Sequence, residues 1–160
     1  AIGESVKTLP LMENAEILGE PGRALAAPGM SAVVEILLRK DDRLYINDGM
    51  YGVFWLLRID GPDRFPVRAY RDGKQLQGDM INFQVNGPTC DSTDTLPGLV
   101  PLPADVRAGD YLEFGNIGAY SISGRTDYNG FYSDRIVTIT SPGESPPLVG
   151  DSPKIRTNLQ

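Results

Sequence analysis

The feature that most constrains this chain is its cadence. Apolar runs of a few residues alternate with glycine or proline, and 18 glycines and 13 prolines are scattered through 160 residues. Both residues break helices, so long helices find no room. Short strands joined by turns remain, which is the pattern of an all-β sandwich or barrel. Ala15 to Gly19 reads as a short buried strand that stops at Glu20-Pro21-Gly22. Ser31 to Arg39 is the best strand, β-rich and bounded by Pro28-Gly29 and the charges at Arg39 to Asp42. Leu44-Tyr45-Ile46 follows, ended by the turn Asn47-Asp48-Gly49. Tyr51 to Ile59 is a short helix or a tight loop. Pro66 to Arg71, Asp79 to Val85, Asp110 to Phe114, Ala119 to Ser123 and Arg135 to Thr140 read as further strands. The expectation is about eight strands and at most two short helices. From Ser141 to Gln160 there are four prolines and no apolar periodicity, so a flexible tail is expected.

The charge balance narrows the function. A net charge of -6 gives no basic face for nucleic acid. There is no histidine, which removes the commonest general base and excludes a Ser-His-Asp or Cys-His apparatus within this chain. A single cysteine, Cys90, leaves neither an internal disulfide nor a multi-cysteine zinc site, so no metal is expected. It fits a reduced, cytoplasmic setting. No apolar run approaches the roughly 20 residues of a membrane helix. The chain starts without methionine, which is expected of a processed or fragmentary chain.

Four clusters differ from ordinary strand-and-turn text. Glu20-Pro21-Gly22-Arg23 offers a carboxylate, a bare backbone and a guanidinium within a reach of about 10 Å. Such a set can touch both ends of a phosphorylated pyridine ring. It is also what a strand-ending turn with a surface ion pair looks like. Gly87-Pro88-Thr89-Cys90-Asp91 presents a thiol, which can donate a proton, beside a carboxylate, which can hold an ammonium. The plain alternative is an inert buried cysteine. Tyr45-Ile46-Asn47-Asp48-Gly49, followed by Tyr51-Gly52, reads alone as a structural turn. Gly118-Ala119-Tyr120, followed by Tyr128-Asn129-Gly130-Phe131, places phenols that could reach a phosphate or simply pack.

Taken together and in this order, the clusters resemble the fold-type III pyridoxal-phosphate decarboxylases of ornithine, lysine, arginine and diaminopimelate. The likeness runs from about Ala15 to Thr140 and is nearest to the ornithine and lysine enzymes. The strings that carry it are Glu-Pro-Gly-Arg at 20–23, Tyr-Ile-Asn-Asp-Gly-Met-Tyr-Gly at 45–52, Gly-Pro-Thr-Cys-Asp at 87–91, Gly-Ala-Tyr at 118–120 and Tyr-Asn-Gly-Phe at 128–131. The resemblance implies a mainly β domain, the C-terminal barrel or sandwich of the alanine racemase C-terminal-like type. The last strand region of an otherwise missing (β/α)8 barrel would precede it. Residues 1–30 would then be the barrel remnant with the phosphate loop, 31–140 the β-domain and 141–160 the tail.

The resemblance also implies roles. Glu20 matches the carboxylate that meets the pyridine nitrogen. Gly22, Arg23 and Tyr120 match phosphate ligands. Cys90 matches the residue that reprotonates the substrate carbon, and Asp91 the carboxylate that grips the distal amine. Tyr128 matches an aromatic position near the same place. In the family, the Cys90 and Asp91 positions serve the neighbouring subunit's site, so a homodimer with shared active sites is implied. The cofactor would be pyridoxal 5'-phosphate and the substrate a cationic amino acid, ornithine or lysine, decarboxylated to a diamine as in polyamine biosynthesis.

Two departures stand out. The family's cofactor-anchoring lysine lies in the barrel, whereas the lysines here are Lys7, Lys40, Lys74 and Lys154, and the ring-stacking histidine is absent. The chain is therefore expected to be inactive alone, needing a barrel from the same or another chain. In the specificity segment, Trp55-Leu56-Leu57-Arg58 stands where bacterial members often carry an aspartate. Asp60 falls at a spacing that matches a second amine ligand, with the alignment open by one residue. Rival readings are a non-catalytic regulator like the antizyme inhibitors and a stand-alone β interaction module. Keeping Cys90 and Asp91 argues against the first, and the second predicts that Glu20 and Arg23 are dispensable for anything but solubility.

Overall fold

The structure, a computed structural model, describes residues 2–12, 14–61 and 65–139. Seven strands form one sheet: β1 (Ala32–Lys40), β2 (Arg43–Ile46), β3 (Val67–Arg71), β4 (Lys74–Gln75), β5 (Met80–Asn86), β6 (Val100–Pro103) and β7 (Tyr111–Phe114). Their spatial order is β4-β3-β7-β1-β2-β5-β6. Every pairing is antiparallel except β2 with β5, which run parallel with Leu44 opposite Val85. The sheet curls so that β3 and β6, which share no ladder, come into contact. The chain is thus mainly β, a curled half-barrel.

The alternation in β1 explains its place at the centre. Ala32, Val34 and Ile36 are buried, while Val33 between them is 64% exposed. A register shift between Ile36 and Leu38 ends this alternation, and Leu37 and Leu38 both face outward. Leu44, Ile46, Phe83, Val85, Leu102, Leu112 and Phe114 complete the inward face. The stretch after β2 plugs the curl. Met50, Phe54, Leu56 and Leu57 are buried, and Phe54 meets Phe114 edge-on with ring centroids 4.7 Å apart.

The described residues also form four short α-helices: α1 (Ile2–Val6), α2 (Arg23–Ala26), α3 (Leu57–Asp60) and α4 (Ser121–Gly124). Three expected strands are corrected. Ala15 to Gly19 is irregular and exposed, and no described strand pairs with it. Ala119 to Ser123 is a turn leading into α4, because Tyr120 takes a left-handed φ of 66° that no strand tolerates. Residues 135–139 pair with no described strand, and Ile139 is 93% exposed. Two strands escape the sequence pattern. β6 carries Pro101 and Pro103, which are tolerated because it is an edge strand, and β4 has two residues at the other edge. The expected tail, 141–160, lies outside the described residues.

Candidate active site

Two buried acids build the floor of the site. Asp94 is 2% exposed. Its Oδ1 accepts the Met50 amide at 2.7 Å and its Oδ2 the Thr89 amide at 3.1 Å. Its carbonyl accepts the Gly87 amide at 2.7 Å, and its own amide donates to the Asp91 carbonyl at 2.9 Å. Asp94 therefore binds the turn after β2 to the loop after β5. Any Cβ at Gly49 or Gly87 would overlap its carboxylate, which is why glycine stands at both positions. Asp48 does the same work within its own turn. Its Oδ1 accepts the amides of Gly49 at 2.7 Å and Val53 at 3.3 Å, and a Cβ at Gly52 would strike it. Burial pushes the Asp48 carboxyl above the ordinary value, against those amides and the Arg125 charge.

The rim grows from that floor. The Tyr51 hydroxyl donates to Asp91 Oδ2 in a short contact and lies 3.3 Å from Thr93 Oγ1. The Thr93 amide donates to Asp91 Oδ1 at 2.8 Å. The Tyr51 hydroxyl, the Thr93 groups and the Arg58 charge hold the Asp91 carboxyl below its ordinary value. The ring of Tyr51 stacks on Tyr128 with centroids 4.3 Å apart and planes at 27°. The Tyr51 carbonyl accepts both the amide and the hydroxyl of Thr126, at 2.8 and 2.9 Å, which ties the Tyr128 loop to the same residue. Desolvation, with Tyr51, Asp91 and Cys90 near it, pushes the Tyr128 phenol upward. Cys90 is exposed on this rim. The Arg58 guanidinium donates to the Thr93 carbonyl at 3.2 Å and lies 5.7 Å from the centre of the Tyr51 ring.

The second group of expected residues lies on other segments. Gly22 precedes α2, and Arg23 is its first residue. The Gly22 amide donates to the Glu20 carbonyl at 2.8 Å, closing a tight turn, and Glu20 is exposed. The Gly118 amide donates to the Ala27 carbonyl at 2.9 Å, and a Cβ at Gly118 would strike the Ala26 carbonyl. Gly118 thus lets the end of α2 seat beside the turn that carries Tyr120, which is 60% exposed. Asp60 ends α3, and its side chain lies outside the described ones.

Residues 29–118 match the family described as pyridoxal-dependent decarboxylase, C-terminal sheet domain. The chain belongs to that family. The matched stretch holds the whole sheet, Tyr51 and the Cys90-Asp91 loop. Decarboxylase flvG of Aspergillus flavus is 36% identical over 76% of this chain and 32% of its own length. Antizyme inhibitor 2 of Xenopus laevis is 31% identical over 76% of the chain and 30% of its own length. The crystal structure of lysine/ornithine decarboxylase from Vibrio vulnificus complexed with putrescine superimposes with a TM-score of 0.58 at 32% identity, covering 81% of this chain and 34% of that one. The chain spans about a third of the length of these relatives.

Within this sheet domain the structure places Cys90 and Tyr128 near Asp91. Glu20, Gly22 and Arg23 share the turn into α2, and Tyr120 sits on a second turn, the one that Gly118 seats beside the end of α2. Sequence reasoning missed Tyr51, Arg58, Thr93 and Asp94. Tyr51 had a signal in Tyr-Gly after the Asn-Asp-Gly turn, but the turn alone accounted for it. Asp94 had none, because its role depends on two loops meeting.

Proposed function

We propose that this chain supplies one wall of the active site of a pyridoxal-phosphate-dependent decarboxylase of a basic amino acid, ornithine or lysine, yielding a diamine and carbon dioxide in polyamine biosynthesis. The observation that carries this is the loop that holds Asp91 against Tyr51 with Cys90 exposed beside it and Tyr128 stacked behind. An ionised, well-anchored carboxylate suits a substrate ammonium. An exposed thiol suits proton delivery to a substrate carbon. Both groups stand at the surface, so a second surface must complete the site. That supports a homodimer with shared sites, or a barrel-bearing partner chain.

The family is pyridoxal-dependent. Arg23 and Tyr120 provide a guanidinium and a phenol suited to the cofactor phosphate, and Glu20 a carboxylate suited to the pyridine nitrogen. The seating of α2 beside the Tyr120 turn fits such a cradle, while the Gly22 amide is already taken by Glu20. When bound, the cofactor supplies an electron sink for the pair left as carbon dioxide departs. Cys90 Sγ then gives its proton to the substrate α-carbon, Asp91 holds the distal ammonium, and Tyr51 fixes the Asp91 carboxylate. Asp60 is a second ligand for that ammonium.

The test is carbon dioxide release by the holoenzyme, this chain together with the barrel that supplies the lysine. Cys90→Ala should lower kcat by about 100-fold or more. Asp91→Ala and Asp60→Ala should each raise KM for lysine and ornithine. Full activity in Cys90→Ala would sink the reading. The likeness to an antizyme inhibitor favours one alternative, a non-catalytic regulator. It predicts tight antizyme binding with no carbon dioxide released from any amino acid.

A further inference from the structure

The geometry points to a binding site for a small, uncharged, bicyclic aromatic molecule at the seam where the curled sheet fails to close. β3 and β6 come into contact there without a ladder between them. Two features of the sequence keep them from pairing. β4 pairs only with Tyr70 and Arg71 of β3, so the edge of β3 at Val67 and Arg68, on the side away from β7, has no strand beside it among the described residues. Across the gap, β6 presents Pro101 and Pro103, which have no N–H to offer. The seam therefore stays unzipped and holds a cavity of about 270 Å³.

The cavity is apolar and preformed. Leu57, Phe65, Val100 and Phe114 make its floor, each at most 4% exposed. Pro66, Leu99 and Pro101 make its exposed rim. Pro66 is fixed there, since its carbonyl accepts the Gly115 amide at 2.9 Å. No described residue that lines the cavity carries a polar side chain, so ordered water finds few partners inside. A charged guest would shed its hydration and gain nothing in return. A dry apolar cavity of about 150 Å³ takes up benzene, so 270 Å³ leaves room for two fused rings. The Phe65 and Phe114 rings below and the two prolines above favour a flat aromatic body over an aliphatic chain. Cys90, Asp91 and Tyr128 do not line this cavity, so it is a second site.

Indole is the probe, titrated into the holoenzyme by isothermal calorimetry. It should bind saturably, one molecule per chain, with a Kd below about 1 mM for an apolar guest of its size. Val67 forms the half-buried wall between floor and rim. Val67→Phe fills the cavity from that wall and should weaken indole binding at least about tenfold. Leu99→Asp sets a charge on the exposed rim, where folding is not at stake, and should weaken it about fivefold or more. A wild-type holoenzyme that takes up no indole overturns the inference, whether the seam closes or another segment of the protein fills it. A Kd unchanged in folded Val67→Phe also overturns it. Should that variant not fold, a Kd unchanged in Leu99→Asp does so instead. Carbon dioxide release enters none of these readings, so failure of the decarboxylase proposal leaves this inference standing.

Discussion

Asp48 and Asp94 are both buried acids pressed against glycines, yet their hydrogen bonds predict opposite tolerances. Both oxygens of Asp94 accept amides. An asparagine there must turn one NH2 toward a backbone N–H, leaving two donors face to face. Asp94→Asn should therefore cost about 2 kcal/mol in urea unfolding of the chain. Only Oδ1 of Asp48 accepts amides among the described residues, so an asparagine oxygen can replace it. Asp48→Asn should stay within about 1 kcal/mol of wild type at pH 7 and spare the protein the buried charge. Tyr51→Phe removes the hydroxyl that chiefly depresses the Asp91 carboxyl. The Asp91 titration, followed by carboxyl NMR, should move up toward the ordinary value.

At the scale of elements, the plug after β2 joins fold and site, because Phe54 fills the curl while Tyr51, three residues earlier, reaches the rim. Phe54→Ala should destabilise by about 3–5 kcal/mol, measured by urea melt, and loosen the Tyr51–Tyr128 stack with it. The same elements show what a sequence discloses. β1, β2, β3, β5 and β7 were legible because their own alternation or β-branched content and the flanking turns mark them. β6 was hidden by its two prolines, which only an edge position makes harmless. The stretch 135–139 has the right residues for a strand, but pairing needs a neighbour, and propensity cannot provide one. The Cys90-Asp91 loop was legible as a motif. Its anchor at Asp94 was not, since local text says nothing of which loops will meet. Residues 15–19 misled for the same reason, an apolar run without its partner.

Across the whole molecule, acid is the natural stress. Burial alone would raise the Asp110 carboxyl, but the paired hydrogen bonds from Arg71 and the Arg107 amide outweigh it and hold it below its ordinary 3.8. Burial likewise opposes the bonds from Tyr70 and Ser31 at Glu113, whose carboxyl also ends below its ordinary 4.5. A depressed carboxyl stabilises the fold above its unfolded pKa and loses that contribution as pH falls through the folded one. Tm should hold near neutral pH and fall steadily once pH drops below about 4. Asp110→Asn should flatten that decline in differential scanning calorimetry. Asp48 acts with the opposite sign, its raised carboxyl contributing at low pH and losing that contribution as pH rises through its folded value.

The parallel pairing of β2 with β5 carries a consequence for how the molecule is made. Leu44 and Val85 lie side by side across a long crossover, and Tyr51 waits for partners at Asp91 and Tyr128 still further along the chain. Such distant pairings close slowly, because loop entropy is spent before any contact repays it. The central pairing of β1 with β7, Ala32 opposite Phe114, spans more chain still. A refolding chain should therefore form the β1–β2 hairpin first and regain the full sheet and the Tyr51–Tyr128 stack together, so that the chemical surface is completed by the same late step that completes the sheet.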